Sequence, residues 1–200
     1  MAARRRFGST GTPPWNEDVV TTNTVARSLN DIGLAGWFGG SLMGAVAVNR
    51  APTDVEDQRD RSRFANGVWR RWWKVQVGCM TAAAVGGIGL TAANKGRIAT
   101  QRGVAATAAA KAAMLTAATV TTLYADVLGK RMDAAGPTPI DDATTPTEAT
   151  DDDVARAQQQ LRLLQWAVPA MLAAILVLDA RLGEQQRPKE VLRGLRARIR

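Results

Sequence analysis

The run Leu163–Leu178, LLQWAVPAMLAAILVL, contains no charged residue. A soluble helix of this length normally carries polar residues at every third or fourth position, because one of its faces meets water. Pro169 lies inside the run and predicts a kink, which membrane helices tolerate when neighbouring helices satisfy the freed carbonyl. The stretch therefore predicts a helix surrounded by lipid and protein, and an integral membrane protein.

Three further runs have the same uncharged character, and stretches rich in Arg and Asp separate them. They are Ile32–Val48, Val75–Ala93 and Ala112–Ala125. A helix needs about 20 residues to cross the hydrocarbon core. Extended to that length, the spans cover about 29–48, 75–93, 104–125 and 163–179. The sequence thus predicts an all-α membrane bundle of about four helices within residues 29–182.

Lys111 decides whether the third span crosses the membrane. It lies roughly 11 Å inside the predicted helix, where an unpaired cation costs about 2.5–3.5 kcal/mol. One interpretation gives Lys111 a functional role at an intramembrane site, with Asp31 or Asp179 as its partner. The other lets its aliphatic stem carry the ammonium to the headgroups. If this segment does not cross, three spans remain; we predict four.

Small residues recur at intervals of four in three of the spans. This spacing places them on one helix face, which allows close approach of helix backbones in lipid. The predicted packing residues are Gly36, Gly40 and Gly44 in the first span, Gly78, Ala82 and Gly86 in the second, and Ala109, Ala113 and Ala117 in the third. They predict a compact bundle, with a protein partner or a second copy of the chain on such a face.

A cluster of aromatic and basic residues immediately precedes the second span. It consists of Trp69, Arg70, Arg71, Trp72, Trp73 and Lys74. Such a cluster can stack nucleic-acid bases and hold phosphates. Beside an apolar run it is more simply an interfacial anchor, which we predict. The net charge of +8 suggests nucleic acid as a partner, but the cations lie in connectors and tails, as in bilayer proteins. We therefore predict that the chain does not bind nucleic acid.

The segments outside the spans are polar. Residues 1–28 form a predicted polar tail, and the Pro-, Thr- and Asp-rich residues 134–153 a predicted loop of the disordered type. Residues 183–200 form a predicted basic amphipathic tail, suited to a surface of anionic lipid. With four spans, the side that carries both termini has 14 Lys and Arg against 11. The positive-inside rule then predicts a cytoplasmic C-terminus, and a three-span arrangement leads to the same prediction for that end.

The composition limits the possible chemistry. The chain contains no histidine and one cysteine, Cys79. Histidine-based catalytic triads, Cys/His metal sites and an internal disulfide are therefore excluded. No catalytic constellation is evident, so we predict no catalytic residues, no bound metal, no cofactor and no enzymatic activity.

The stretch Ser28–Ala47, SLNDIGLAGWFGGSLMGAVA, resembles the first helix of a family of small multi-pass membrane proteins from actinobacteria. The resemblance covers about a tenth of the chain and includes no catalytic motif. It implies a location in the cell membrane. It implies no activity and no functional residues.

These observations favour a structural or accessory subunit of a larger membrane assembly, because they combine small-residue helix faces with an absence of catalytic groups. The alternative is a small transporter or channel component that uses Lys111 as its functional charge.

Overall fold

The computed structural model describes residues 17–96 and 102–184. Within these ranges it contains four long α-helices: α1 (Glu17–Met43), α2 (Gln58–Ala93), α3 (Arg102–Ala134) and α4 (Asp152–Glu184). A π-helix (Gly44–Val48) continues α1, and a 3-10 helix (Ala51–Asp54) follows it. Two short antiparallel strands, β1 (Ile140–Asp142) and β2 (Thr145–Pro146), lie between α3 and α4.

Each of the four helices is long and apolar enough to cross a membrane. The candidate spans are 31 to 36 residues long, and the third, Gly103–Ala134, includes Lys111. Large apolar side chains point outward from them, with Ile32 and Ile88 both 71% exposed. The prediction of an all-α membrane protein with four spans is therefore confirmed.

The helices extend beyond the predicted spans. α1 begins at Glu17, so residues 17–28 of the predicted polar tail are helical; no Gly or Pro interrupts this stretch. α2 begins at Gln58 because the side chain of Asp57 caps it, accepting hydrogen bonds from the backbone nitrogens of Arg59 (2.7 Å) and Asp60 (3.3 Å). The predicted C-terminal amphipathic helix lies outside the described residues.

The acidic segment 134–153 departs from the prediction of a loop without regular structure. Its Asp and Thr side chains bind the local backbone: Asp142 accepts from the nitrogen of Thr144 at 2.7 Å, and the hydroxyl of Thr150 donates to the carbonyl of Pro139 at 2.6 Å. Such bonds order a turn, although the same residues also predominate in disordered chains. Ile140 is fully buried, and the nitrogen of Ala143 donates to the carbonyl of Asn49 (3.0 Å). The hairpin is thereby fixed to the end of α1.

α1 occupies the centre of the bundle. Of its apolar window 39% is buried, against 11% for α3. α1 packs extensively along α2 and also contacts α4, which in turn packs along α3, whereas α2 and α3 contact each other little. The core between them includes Leu34, Trp37, Ala118 and Leu172. Of the helix pairs that pack together, α2 and α3 are therefore the most loosely joined.

Glycines of α1 lie directly against α2. A Cβ atom built on Gly40 would overlap the indole of Trp72, and one built on Gly44 would overlap that of Trp69. A Cβ on Gly36 would lie 2.6 Å from Sγ of Cys79. The two tryptophans thus fill the space that the glycines leave, which joins α1 to α2 by large-to-small packing.

Candidate functional site

Lys111 lies in a buried ion pair between helices. Its Nζ is 2.5 Å from Oδ1 of Asp179 in α4 and 3.1 Å from Oδ1 of Asn30 in α1. The side chains of Lys111 and Asp179 are only 12% and 19% exposed. Of the two partners suggested by the sequence, the structure brings Asp179 to Lys111. Asp31 is exposed and accepts a hydrogen bond from Nδ2 of Asn30 at 3.0 Å.

Asn30 completes this polar network, although no sequence pattern singles it out. The residue is 1% exposed, and its Nδ2 also donates to Oδ2 of Asp179 at 3.1 Å. Gly86 of α2 allows the backbone of Asn30 to lie close to α2, because a Cβ on Gly86 would overlap the backbone nitrogen of Asn30. A neutral amide at the edge of an apolar run is common in membrane helices. Asn30 is therefore recognised as part of a polar network only from its contacts with Lys111 and Asp179.

The network connects α1, α3 and α4, and the two charges in it, on Lys111 and Asp179, pair with each other. Paired charges avoid most of the cost of an isolated ion in lipid. The ammonium of Lys111 therefore does not extend freely to the headgroups, and it lines neither of the two cavities described below. This geometry suits a structural cross-link.

A cavity of about 700 Å³ lies at the opposite end of the bundle. All four helices and the hairpin contribute to its wall. Its deep wall is apolar and includes Leu161, Leu164 and Val168, and Ala143 of the hairpin closes one side. A smaller groove of about 330 Å³ lies on the outer side of the contact between α1 and α2. The larger cavity has the volume of a typical small-molecule site.

Amide and indole groups form hydrogen bonds with each other in the wall of this cavity. Asn49 donates through Nδ2 to Oε1 of Gln165 (2.8 Å), and its Oδ1 accepts from the indole nitrogen of Trp69 (3.0 Å). The indole of Trp72 donates to Oε1 of Gln76 at 2.6 Å. These bonds hold the aromatic rings in fixed orientations along the wall.

Thr122 is a buried hydroxyl in the cavity wall without a partner. The residue is 3% exposed, and its Oγ1 has no hydrogen bond within the described part of the chain. Thr116 and Thr119 of the same helix instead donate to the carbonyls four residues earlier, at 3.0 and 2.8 Å. An unpaired buried hydroxyl is costly, and because this oxygen is inaccessible even to water, it does not face the open space of the cavity.

The predicted interfacial cluster lies inside α2 and forms one rim of the cavity. Arg70 binds both carboxylate oxygens of Asp133, at 2.6 and 2.7 Å. The Nζ of Lys130 lies 5.5 Å from the ring centre of Trp73 and 2.6 Å from Oδ2 of Asp126. Among the six cluster residues, Arg70, Arg71 and Lys74 are exposed and the three tryptophans are half-buried. The tryptophans thus contact the bundle, which an anchor in lipid alone does not require.

Only some of the predicted packing residues lie at a contact between helices. Gly36, Gly40 and Gly44 contact α2, and Gly86 contacts α1. Gly78 is exposed, and a Cβ built on it meets nothing within 4 Å; Ala82 is half-buried. The alanines of α3 point outward, and all three are exposed: Ala109, Ala113 and Ala117.

These features define a four-helix membrane protein with a polar cross-link at one end and a cavity at the other. Over the described ranges, no group of three or more His, Cys, Asp and Glu residues is placed to hold a metal ion. Comparison of the chain with protein-family models, curated proteins and solved structures gave no match.

Proposed function

We propose that this chain is a non-catalytic accessory subunit of the membrane that binds a small amphipathic molecule in the cavity between α2 and α3. The observation that supports this most is the cavity itself, about 700 Å³ in volume, with a largely apolar wall that also carries the amide and indole groups of Asn49, Gln165 and Trp69. Apolar walls with a few convergent polar groups are typical of ligand sites. The transporter alternative has less support, since Lys111 is bonded to Asp179 and Asn30.

Filling the cavity is expected to remove the bound molecule. Ala125 lines the wall, and Ala125→Phe places a ring in the space that the ligand would occupy. Native mass spectrometry of the protein released from mild detergent is expected to show a non-covalent adduct on the wild-type chain and its loss in this variant. Val120→Phe is the matched control on the same helix, because Val120 is 61% exposed and lines neither cavity. The absence of any adduct on the wild-type chain, or equal retention by the two variants, would contradict the proposal.

Membership of a larger assembly is the second part of the proposal. The exposed alanine face of α3 supports it, since small residues let another helix approach closely in lipid. Ala113→Leu is expected to release the subunit from a complex that the wild-type chain keeps in mild detergent. Ala84→Leu, on the exposed side of α2, is the control. Size-exclusion chromatography with multi-angle light scattering distinguishes the states, and a wild-type chain that is always monomeric speaks against this part.

We further propose the cell membrane as the location, with a cytoplasmic C-terminus. The excess of Lys and Arg on the side of the termini supports this orientation. In that orientation, the cavity lies toward the outer surface. Anionic lipid remains the proposed contact of the basic tail 183–200.

A further inference from the structure

The rim of the large cavity carries more positive than negative charge. Arg70 is paired with Asp133, and Lys130 with Asp126. Arg71 and Lys74 also line the cavity and are exposed. Within the described ranges neither of them has a carboxylate within 4.0 Å. Two cations at the rim are thus left to attract an anionic group.

The interior suits a chain that is mainly apolar but carries an oxygen. Leu161, Leu164 and Val168 form its apolar side. The side-chain amides of Asn49, Gln76 and Gln165 add hydrogen-bonding atoms to the wall. An ester carbonyl next to an acyl chain combines a hydrogen-bond acceptor with apolar surroundings.

The cavity lies in a part of the chain that the surrounding bilayer contacts. α2 and α3 both carry exposed apolar side chains on their outer sides, among them Val77 (41%) and Leu123 (46%). A lipid of the bilayer is therefore the nearest source of a largely apolar ligand. A soluble anion would match the rim but would leave the apolar side of the cavity empty.

We propose that the cavity binds an anionic phospholipid of the bilayer. The phosphate lies at Arg71 and Lys74, and part of an acyl chain lies against Leu161 and Leu164. The rest of the lipid extends into the bilayer. This inference rests on the proposed function and adds the class of ligand and the residues that select it.

The test uses the full chain in nanodiscs that contain equal amounts of phosphatidylglycerol and phosphatidylcholine. Native mass spectrometry after release from the nanodisc identifies the retained lipid. Because basic side chains attract anionic headgroups, retained phosphatidylglycerol is expected to exceed phosphatidylcholine roughly fivefold. The double variant R71Q/K74Q is expected to retain lipid with less than about a twofold preference. R50Q/R63Q removes the same charge from residues that do not line the cavity, and is expected to keep the preference.

The outcomes separate the two proposals. If lipid is retained without a preference for phosphatidylglycerol, or if R71Q/K74Q keeps that preference, the assignment of an anionic phospholipid is wrong and the binding function stands. If no lipid or other adduct is retained by the wild-type chain, both proposals are wrong. If R50Q/R63Q loses the preference as fully as R71Q/K74Q, general surface charge and not this cavity selects the lipid, which also overturns the inference.

Discussion

Replacing Lys111 with methionine is expected to destabilise the folded protein by about 3 kcal/mol. The substitution keeps a long apolar stem and removes the charge, so Asp179 is left among the helices without its partner, 2.5 Å away in the wild-type chain. Removal of one member of a buried pair is costly because the remaining charge is no longer compensated. Thermal unfolding in a mild detergent, followed by the loss of monodisperse protein on size exclusion, measures the effect.

Two further variants determine the cause of this loss. K111M/D179L removes both charges and is expected to recover most of the stability, because no unpaired ion remains. Lys130→Met breaks an ion pair on the same helix in which the lysine is 69% exposed, and it is expected to cost less than about 1 kcal/mol. A K111M protein as stable as the wild type would show that the ion pair does not support the fold.

The second large effect is expected at the contact between α1 and α2. Gly86→Ala adds a Cβ that overlaps the backbone nitrogen of Asn30 and lies 2.5 Å from the carbonyl oxygen of Ala26. Backbone atoms cannot rotate away, so the two helices must separate. Overpacking of this kind costs about 1–3 kcal/mol, and the backbone contact places this variant at the upper end. The midpoint of thermal unfolding in detergent is expected to fall accordingly.

Gly78→Ala is the matched control for this substitution. Gly78 lies on the same helix, and a Cβ there meets nothing within 4 Å. Alanine is also the better helix former, by up to about 1 kcal/mol, so this variant is expected to be as stable as the wild type or slightly more stable. Equal losses of stability in G86A and G78A would contradict the packing face described above.

The spacing of small residues predicted the face of α1, whereas of the two glycines predicted in α2, Gly86 lies against α1 and Gly78 does not. Gly36, Gly40 and Gly44 all meet α2, as their period suggests. In α2 the series that begins at Gly78 and the one that begins at Cys79 both offer small residues, and they differ by a rotation of about 100° about the helix axis. Trp69 and Trp72 determine the rotation, because their rings need the space above Gly44 and Gly40. That pairing joins residues from two helices and is not visible in either helix alone.

In α3 the spacing of small residues predicts the packing face even less well than in α2. Small residues occupy so many of its positions that several faces show the same period. The inward face includes Lys111, Ala118 and Thr122, which leaves the predicted alanine stripe outside. Lys111 was identified in the sequence because a charge inside an apolar run is rare. Its polar partner Asn30 was not, because an amide there carries no comparable signal.

The cavity was not predictable from the sequence. Its polar residues Asn49, Gln76, Thr122 and Gln165 are far apart along the chain, and each is unremarkable in its own helix. They meet because all four helices and the hairpin line the same space. The residues of that hairpin, such as Asp142 and Thr150, have a composition typical of disorder, and only their bonds to the local backbone distinguish them.

The pairing of Lys111 with Asp179 also concerns the biosynthesis of the protein. The two residues are 68 positions apart, and the ribosome completes α3 well before it reaches Asp179. Until then Asn30 is the only one of the two hydrogen-bonding partners of Lys111 in this network that has already been made. The charge on the third helix is neutralised only after the fourth has been translated, so α3 and α4 become fully compatible with lipid as a pair. Stable insertion of the third helix into the bilayer is thereby coupled to synthesis of the fourth.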